Sequence, residues 1–397
     1  MEILMAWGEI KVEEQRKAFI EAYLSNNCTK AELFRQFQIC PRIGYKWIDR
    51  FNNEGFEGLK DRSRARLTQA STDPYIINQI LALKFKNRKW GPKKIRGRLL
   101  IDFPEFQWPS TTTIGNIFDK NGLTVRRKLR RRVPGKTVPL FDFQQPNDTW
   151  CADFKGWFLT KDGTKCDPFT LTDALSRYIL RCIKLDINNT EHVWAIFDTA
   201  FREYGMPLYV RHDNGPPFGT CGVGRLSQLS IRLIKAGVIP EWIDLGKPYQ
   251  NGSHERMHLT LQQETATPPA DNLEEQKIAF ENFQEYFNEM RPHEALGQKT
   301  PSSIYIPSNK VWSGRLQSPE YSDEFKIRRV CSSGKISWKD QDLFLGRALS
   351  GEPVGIKEHQ ENTLIVYYGP IILGSIDREN NFKVPEGNKR RKYNKKS

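Results

Sequence analysis

The spacing of apolar residues changes character twice along this chain of 397 residues, and that succession restricts its fold more than any single motif. Up to about residue 125 the apolar residues recur at helical spacing. From about 147 to 300, short β-branched and aromatic runs alternate with helical stretches. From about 325 onward, alternating apolar and polar runs are separated by Gly and Pro. The reading is a multidomain protein with N-terminal all-α helix-turn-helix units, a central α/β core and a small all-β barrel at the C-terminal end. A chain this long suits two to four domains.

In the first stretch, Val12, Phe19, Tyr23 and Leu24 make one apolar face. Cys28-Thr29 starts a second helix carrying Ala31, Leu33, Phe34 and Phe37. Gln38-Ile39-Cys40 is a turn, and Pro41 opens a third helix with Tyr45, Trp47, Ile48 and Phe51. Residues 11–66 are therefore predicted to be a helix-turn-helix domain, with Arg42, Lys46 and Arg50 on the helix that enters the major groove. The plainer alternative is a three-helix bundle with solvated basic residues. Residues 73–132 form a second helical unit. Ile76, Ile77, Ile80, Leu81 and Leu83 lie on its first helix, a second starts at Trp90-Gly-Pro, and a third starts at Ser110. Its end carries Arg126, Arg127, Lys128, Arg130, Arg131 and Arg132, six basic residues in seven. Such a run is usually a solvated tail, but between two DNA-facing units it suits phosphate tracking with counterion release. The stretch from Pro134 to Pro146, rich in Pro and Gln, is a linker.

Charge supports the same partner class. With 61 basic and 47 acidic residues the formal charge is +14, and the basic residues are bunched, as on proteins that bind polyanions. No run of about 18 apolar residues marks a membrane span. The start, Met1-Glu-Ile-Leu-Met-Ala, lacks the basic head and apolar stretch of a signal peptide. Seven scattered cysteines without a Cys-x-x-Cys pair fit reduced thiols, so a cytoplasmic, nucleoid-associated protein is expected.

Within residues 147–306, three carboxylates stand out by their local settings. Asp153 follows the aromatic and apolar run of Trp150-Cys-Ala-Asp-Phe-Lys-Gly-Trp-Phe158, in a predicted strand. Asp213 ends the run Leu208-Tyr-Val-Arg-His, just before a Gly-Pro-Pro loop. Glu255 lies in the first turns of a helix that starts at Gly252-Ser253. Strand carboxylates beside a helix-borne glutamate suit Mg²⁺, which takes oxygen ligands and leaves positions for substrate phosphates. Two such ions about 3.5–4 Å apart serve phosphodiester chemistry, with Mn²⁺ as a substitute. Asp244 and Glu264 are alternative third acids. His254 and His258, four apart, have the spacing of a zinc pair on a helix, but no third nitrogen or sulfur ligand stands near in sequence. Glu255 itself could be no more than a favourable partner of the helix dipole.

Four sequence motifs occur in order: Trp-Cys-Ala-Asp-Phe-Lys-Gly, His-Asp-Asn-Gly-Pro-Pro-Phe, Gly-Lys-Pro-Tyr-Gln-Asn-Gly-Ser-His-Glu-Arg-Met-His, and Arg291-Pro-His-Glu-Ala-Leu-Gly297. Together they closely resemble the integrase-like (DDE) transposases of bacterial insertion sequences, over nearly the whole chain. The resemblance implies an RNase H-like core with its first and fourth strands side by side, and catalytic, metal-binding roles for Asp153, Asp213 and Glu255. It also implies a C-terminal β domain at 325–378 that contacts DNA or another subunit, followed by a basic tail at 379–397. The expected partners are double-stranded DNA at the element ends and target, and at least a second copy of the chain, with no membrane and no small-molecule substrate. The expected activity is metal-dependent 3′-end cleavage and strand transfer. One departure stands out: where the family commonly has basic residues four and seven positions after the glutamate, this chain has Leu259 and Gln262. A noncatalytic DNA-binding regulator or a decayed copy is the alternative. A hybrid-cutting nuclease is a third reading, disfavoured by the flanking helix-turn-helix units.

Overall fold

The computed structural model describes residues 12–62, 72–124 and 143–385, apart from 186, 221, 245–247 and 360–362. Arg126, Arg127, Lys128, Arg130, Arg131 and Arg132, together with the basic tail from 388, lie outside the described residues. The chain divides into two compact units, Met1–Thr72 and Asp73–Ser397.

In the first unit the predicted punctuation forms as read. Helix α1 (Val12–Leu24) is followed by α2 (Lys30–Gln36) and α3 (Pro41–Glu54). Thr29 starts α2 through a capping box: its hydroxyl accepts the Glu32 N–H and the Glu32 carboxylate accepts the Thr29 N–H, satisfying two donors that no helical carbonyl can reach. Pro41 opens α3, where its missing N–H costs nothing. Phe19, Ile20, Leu33, Phe34, Trp47, Ile48 and Leu59 form the core. Gly44 lets α3 approach α2 closely, since a Cβ there would sit 2.3 Å from the Phe34 ring.

The second unit starts with α4 (Pro74–Lys86), α5 (Pro92–Asp102) and α6 (Thr111–Lys120), around Ile80, Trp90, Ile95, Leu99, Ile114 and Phe118. These helices dock on the later chain. The Tyr286 hydroxyl donates to Asn87 at 2.8 Å, and Arg98 donates to the Glu289 carbonyl at 3.2 Å.

Next come β1 (Thr149–Phe154), β2 (Phe158–Leu159), β3 (Lys165–Cys166), β4 (Pro168–Asp173), β5 (Ile179–Lys184), α7 (Thr190–Tyr204), β6 (Tyr209–His212), α8 (Gln228–Lys235), β7 (Ile239–Trp242), α9 (Gly252–Thr265) and α10 (Leu273–Glu285). The sheet order is β5-β4-β1-β6-β7, with β1, β4 and β5 antiparallel and β1, β6 and β7 parallel. This is the RNase H-like arrangement, with the Asp153 and Asp213 strands adjacent. The predicted three-strand meander carries an excursion, because β2 and β3 pair as a separate ribbon between β1 and β4.

Strand alternation sorts the two faces. Trp150, Ala152, Phe169, Leu171 and Val210 pack with Val193, Phe197 and Phe201 of α7 and with Leu229 and Leu233 of α8. On the other face, Ile179 and Cys182 of β5 pack with Met257 and Leu261 of α9 and with Phe280 and Phe283 of α10. The amphipathic helix read through Met290 ends instead in a π-helical turn at Tyr286–Met290, where the Arg291 N–H reaches the Tyr286 carbonyl at 3.1 Å.

The C-terminal region contains β8 (Lys326–Arg329), β9 (Lys335–Trp338), β10 (Gln341–Phe344), β11 (Pro353–His359), β12 (Thr363–Tyr368), β13 (Ile371–Ile376) and β14 (Phe382–Lys383). The described pairings make a five-stranded sheet, β14-β13-β12-β11-β8, and a separate β9–β10 ribbon. No ladder among the described residues closes these into the barrel read from the sequence. Both parts share one core, which also takes in Leu226 together with Ile231 and Ile234 of α8.

Candidate active site

Asp153 is the fifth residue of β1, on the face opposite the Trp150 and Ala152 side chains. Its antiparallel partner on β4 is Thr170. On the parallel side the register runs to Ala152 opposite His212, so one further step brings Asp153 level with Asp213. Asp213 follows the end of β6, and its carboxylate accepts the Gly215 N–H at 3.2 Å. Glu255 lies in the exposed first turn of α9, the helix that covers this face. The three acids thus come from a central strand, the end of its neighbour and a helix.

Their electrostatics show that they share one environment. The Asp153 carboxyl is pushed up to about 7, first by burial, then by the Asp213 and Glu255 carboxylates, against a downward pull from the Phe154 N–H. Burial also raises Asp213, and the Gly215 N–H opposes it. The alternative acids are engaged elsewhere. Asp244 accepts the Gln250 side-chain amide at 3.1 Å. Glu264 pairs with Lys89 at 3.4 Å and stands 4.0 Å from Arg291.

His254 and His258 point inward from α9, 2 % and 8 % exposed, on the side away from Leu259. Both Nε2 atoms lie 2.7 Å from the Thr170 hydroxyl, which is also 3.2 Å from the Asp153 carbonyl oxygen. The His254 Nδ1 is 2.9 Å from the Thr172 hydroxyl. Ligand atoms of Asp153, His254 and His258 lie within 4.8 Å of one another. The neighbour that the fold brings to the two histidines is a carboxylate from β1, not a third nitrogen or sulfur donor. Hydrogen bonds to threonine nevertheless account for both Nε2 atoms. Thr170 and Thr172 were not among the sequence-derived site residues, although Phe169-Thr-Leu-Thr172 signals them: two hydroxyls at alternate positions of a buried strand face the same way.

On α3, Arg42 and Lys46 are exposed and Arg50 is half-buried. The Lys46 ammonium and the Arg50 guanidinium lie over the Trp47 ring, 4.7 and 5.0 Å from its centre, and Arg16 approaches it at 4.0 Å. On α9, Leu259 is 56 % exposed and Gln262 is exposed, on the helix face that carries Glu255.

Residues 236–301 match the integrase core domain family, and residues 325–383 match the C-terminal domain of the IS481 transposase family. Residues 15–66 match a helix-turn-helix family, and residues 43–118 match a homeodomain-like family. A 39.2 kDa protein of insertion element IS476 from Xanthomonas euvesicatoria is 23 % identical over 260 residues, 62 % of this chain and 72 % of that protein. A 31.7 kDa protein of insertion element IS407 from Burkholderia multivorans is 26 % identical over 231 residues, 58 % of this chain and 80 % of that protein. Among solved structures, the HTLV-2 integrase catalytic core overlays with a TM-score of 0.32 at 18 % identity, over 41 % of this chain and 98 % of that one. The BIV integrase core gives 0.32 at 18 % identity, over 40 % and 93 %. With the core and C-terminal family models matched in order and these two relatives encoded by insertion elements, the chain is similar to the integrase-like transposases of insertion sequences.

Proposed function

We propose that this chain binds the ends of its mobile element and carries out metal-dependent cleavage and strand transfer, with Asp153, Asp213 and Glu255 as the catalytic acids. The observation that carries the reading is the convergence of three carboxylates from three elements, with the Asp153 carboxyl pushed up to about 7 first by burial and then by Asp213 and Glu255. The fit to a divalent cation rests on the same observation: an all-oxygen donor set whose mutual repulsion a hard cation relieves suits Mg²⁺, or Mn²⁺ in its place. When bound, a pair of such ions supplies Lewis-acid stabilisation of the attacking and leaving oxygens.

Asp153 and Asp213 hold their side of the site on rigid strand ends, while Glu255 closes it from α9. In the first reaction, water adds its oxygen to phosphorus and one P–O bond breaks, freeing the element's 3′-OH. In the second, that 3′-OH attacks a target phosphodiester and the in-line P–O bond breaks, leaving a 3′-OH on the target. No bond to the protein forms. In this reading Arg42, Lys46 and Arg50 face the duplex. Arg126, Arg127, Lys128, Arg130, Arg131 and Arg132 track phosphates. Two element ends call for at least two copies of the chain.

The test incubates purified protein and Mg²⁺ or Mn²⁺ with labelled duplexes copied from the DNA flanking its gene, alongside Glu255→Gln. Metal-dependent nicking at a 3′ end and joined products, both absent from the variant, are expected. Tight end binding without cutting would replace the reading with a DNA-binding regulator or a decayed copy. Cutting of RNA–DNA hybrids without strand transfer would point to a nuclease.

A further inference from the structure

We propose that Thr170, His254 and His258 form a positioning clamp that sets Glu255 against Asp153 for metal binding. The proposal rests on the acid-site reading above and goes beyond it. A hydroxyl donates one hydrogen bond and accepts two. Thr170 has three partners: the Asp153 carbonyl at 3.2 Å and the two imidazole Nε2 atoms at 2.7 Å each. The carbonyl only accepts, so the hydroxyl donates to it, and both imidazoles donate from Nε2–H. His254 then presents a bare Nδ1, which accepts from the Thr172 hydroxyl at 2.9 Å. One set of protons satisfies all four contacts.

The placement gives the network its consequence. Thr170 is the cross-strand partner of Asp153. His254 immediately precedes Glu255 in the first turn of α9, and His258 lies one turn on. A single hydroxyl therefore ties the backbone of one acid to the helical turn that carries another. Thr170 is fully buried and both imidazoles nearly so, so water does not compete for these bonds. The two rings stand edge to face with centres 4.7 Å apart. A site that must hold cations tolerates displacements of only about 0.5 Å, so the element boundary between β1 and α9 needs such a tie.

The experiment measures Mn²⁺ dissociation constants for the full-length protein without DNA, by the electron paramagnetic resonance of the free ion, together with melting temperature and duplex-end binding. Asp153→Asn is expected to abolish the tight Mn²⁺ sites. Thr170→Val, equal in shape but without the hydroxyl, is expected to weaken Mn²⁺ by about 10–100-fold, the range for partners that orient metal ligands, with end binding unchanged. Thr170→Ser should restore wild-type affinity, which mere loss of packing would not allow. A folded Thr170→Val with Mn²⁺ affinity within twofold of wild type overturns the clamp and leaves the acid site standing. Mn²⁺ binding that survives Asp153→Asn overturns the acid site and the clamp with it. Should Thr170→Val fold poorly, His258→Phe keeps a ring and removes one arm, and wild-type Mn²⁺ affinity in that variant overturns the clamp equally.

Discussion

Glu255 and Glu264 lie nine residues apart on one helix, and their surroundings assign them different work. Glu264 is paired with Lys89 and stands near Arg291, where it helps dock α5 and its neighbours on the core. Glu255 is exposed beside Asp153, and the face it shares continues through Leu259 and Gln262. An exposed leucine on such a face gives a phosphate nothing to bind. Leu259→Arg with Gln262→Lys is expected to strengthen binding to element-end duplexes and to steepen the log–log salt dependence by about 2, near 0.9 for each phosphate neutralised. Equal slopes for the double variant and wild type would show that this face does not meet DNA. His293 gives a prediction of another kind. Burial first, then Lys94, Arg291 and Arg177, depress its pKa to about 3, and its ring lies 4.6 Å from that of Phe287. Its folded pKa is below the unfolded value of about 6.5, so the unfolded chain takes up the proton first. The neutral ring's contribution is complete above about 6.5 and is lost as pH falls toward 3, at about 1.4 kcal/mol per pH unit. His293→Phe keeps the ring without the titration. Its stability relative to wild type should therefore rise steadily as the buffer is taken from pH 6.5 to 4.5, measured by urea midpoints. A constant difference would sink the argument.

Elements that announce themselves by caps and period were legible, and those defined by tertiary partners were not. Thr29, Pro41, Ser110 and Pro92 start helices through local hydrogen bonds or fixed φ, so α2, α3, α5 and α6 could be placed from the sequence alone. Strand β11 escaped notice because Pro353, Gly355 and the charged Lys357-Glu-His359 obscure any alternation. Its Gly355 is explained by the Tyr321 and Phe325 rings, which a Cβ would approach to 2.4 and 2.9 Å. The three acids were singled out from their motifs and lie on β1, at the end of β6 and on α9, whereas Thr170 was not, because its partners sit on a helix more than 80 residues away. Gly44 is the matching case in the first unit. Both elements it joins were read correctly, yet their closeness is visible only in space. Gly44→Ala puts a methyl against the Phe34 ring, which is held in turn by Phe19 and Tyr45. Forcing the helices apart should cost about 1–3 kcal/mol. The variant is expected to lose end-duplex affinity and to gain protease sensitivity within residues 12–62, while Mn²⁺ binding stays as in wild type. Unchanged proteolysis would mean that the helices shift at no cost.

Across the whole molecule, α8 joins two cores. Leu229 and Leu233 face the sheet that carries Asp153, while Ile231 and Ile234 face the C-terminal strands with Val330, Trp338 and Tyr368. Lys235 at the end of the helix pairs with Glu352 at 2.6 Å, and Glu352 also accepts from Ser318 and Tyr368. The C-terminal sheet therefore shares a structural element with the central α/β layer and is not simply tethered after it. The first unit, in contrast, has a core of its own. Calorimetry of the full chain is expected to give one transition for residues 73–397 and a separate one for the first unit. Ile234→Ala removes a buried side chain from the C-terminal side of α8 and should destabilise the larger unit as a whole by about 2–4 kcal/mol. Because the helix is common to both cores, that loss should reach the acids as well, so the loss of Mn²⁺ binding on heating should follow the shifted transition. A third transition assigned to the C-terminal strands alone, moved by Ile234→Ala while the central α/β layer melts as in wild type, would show that the two cores fold independently.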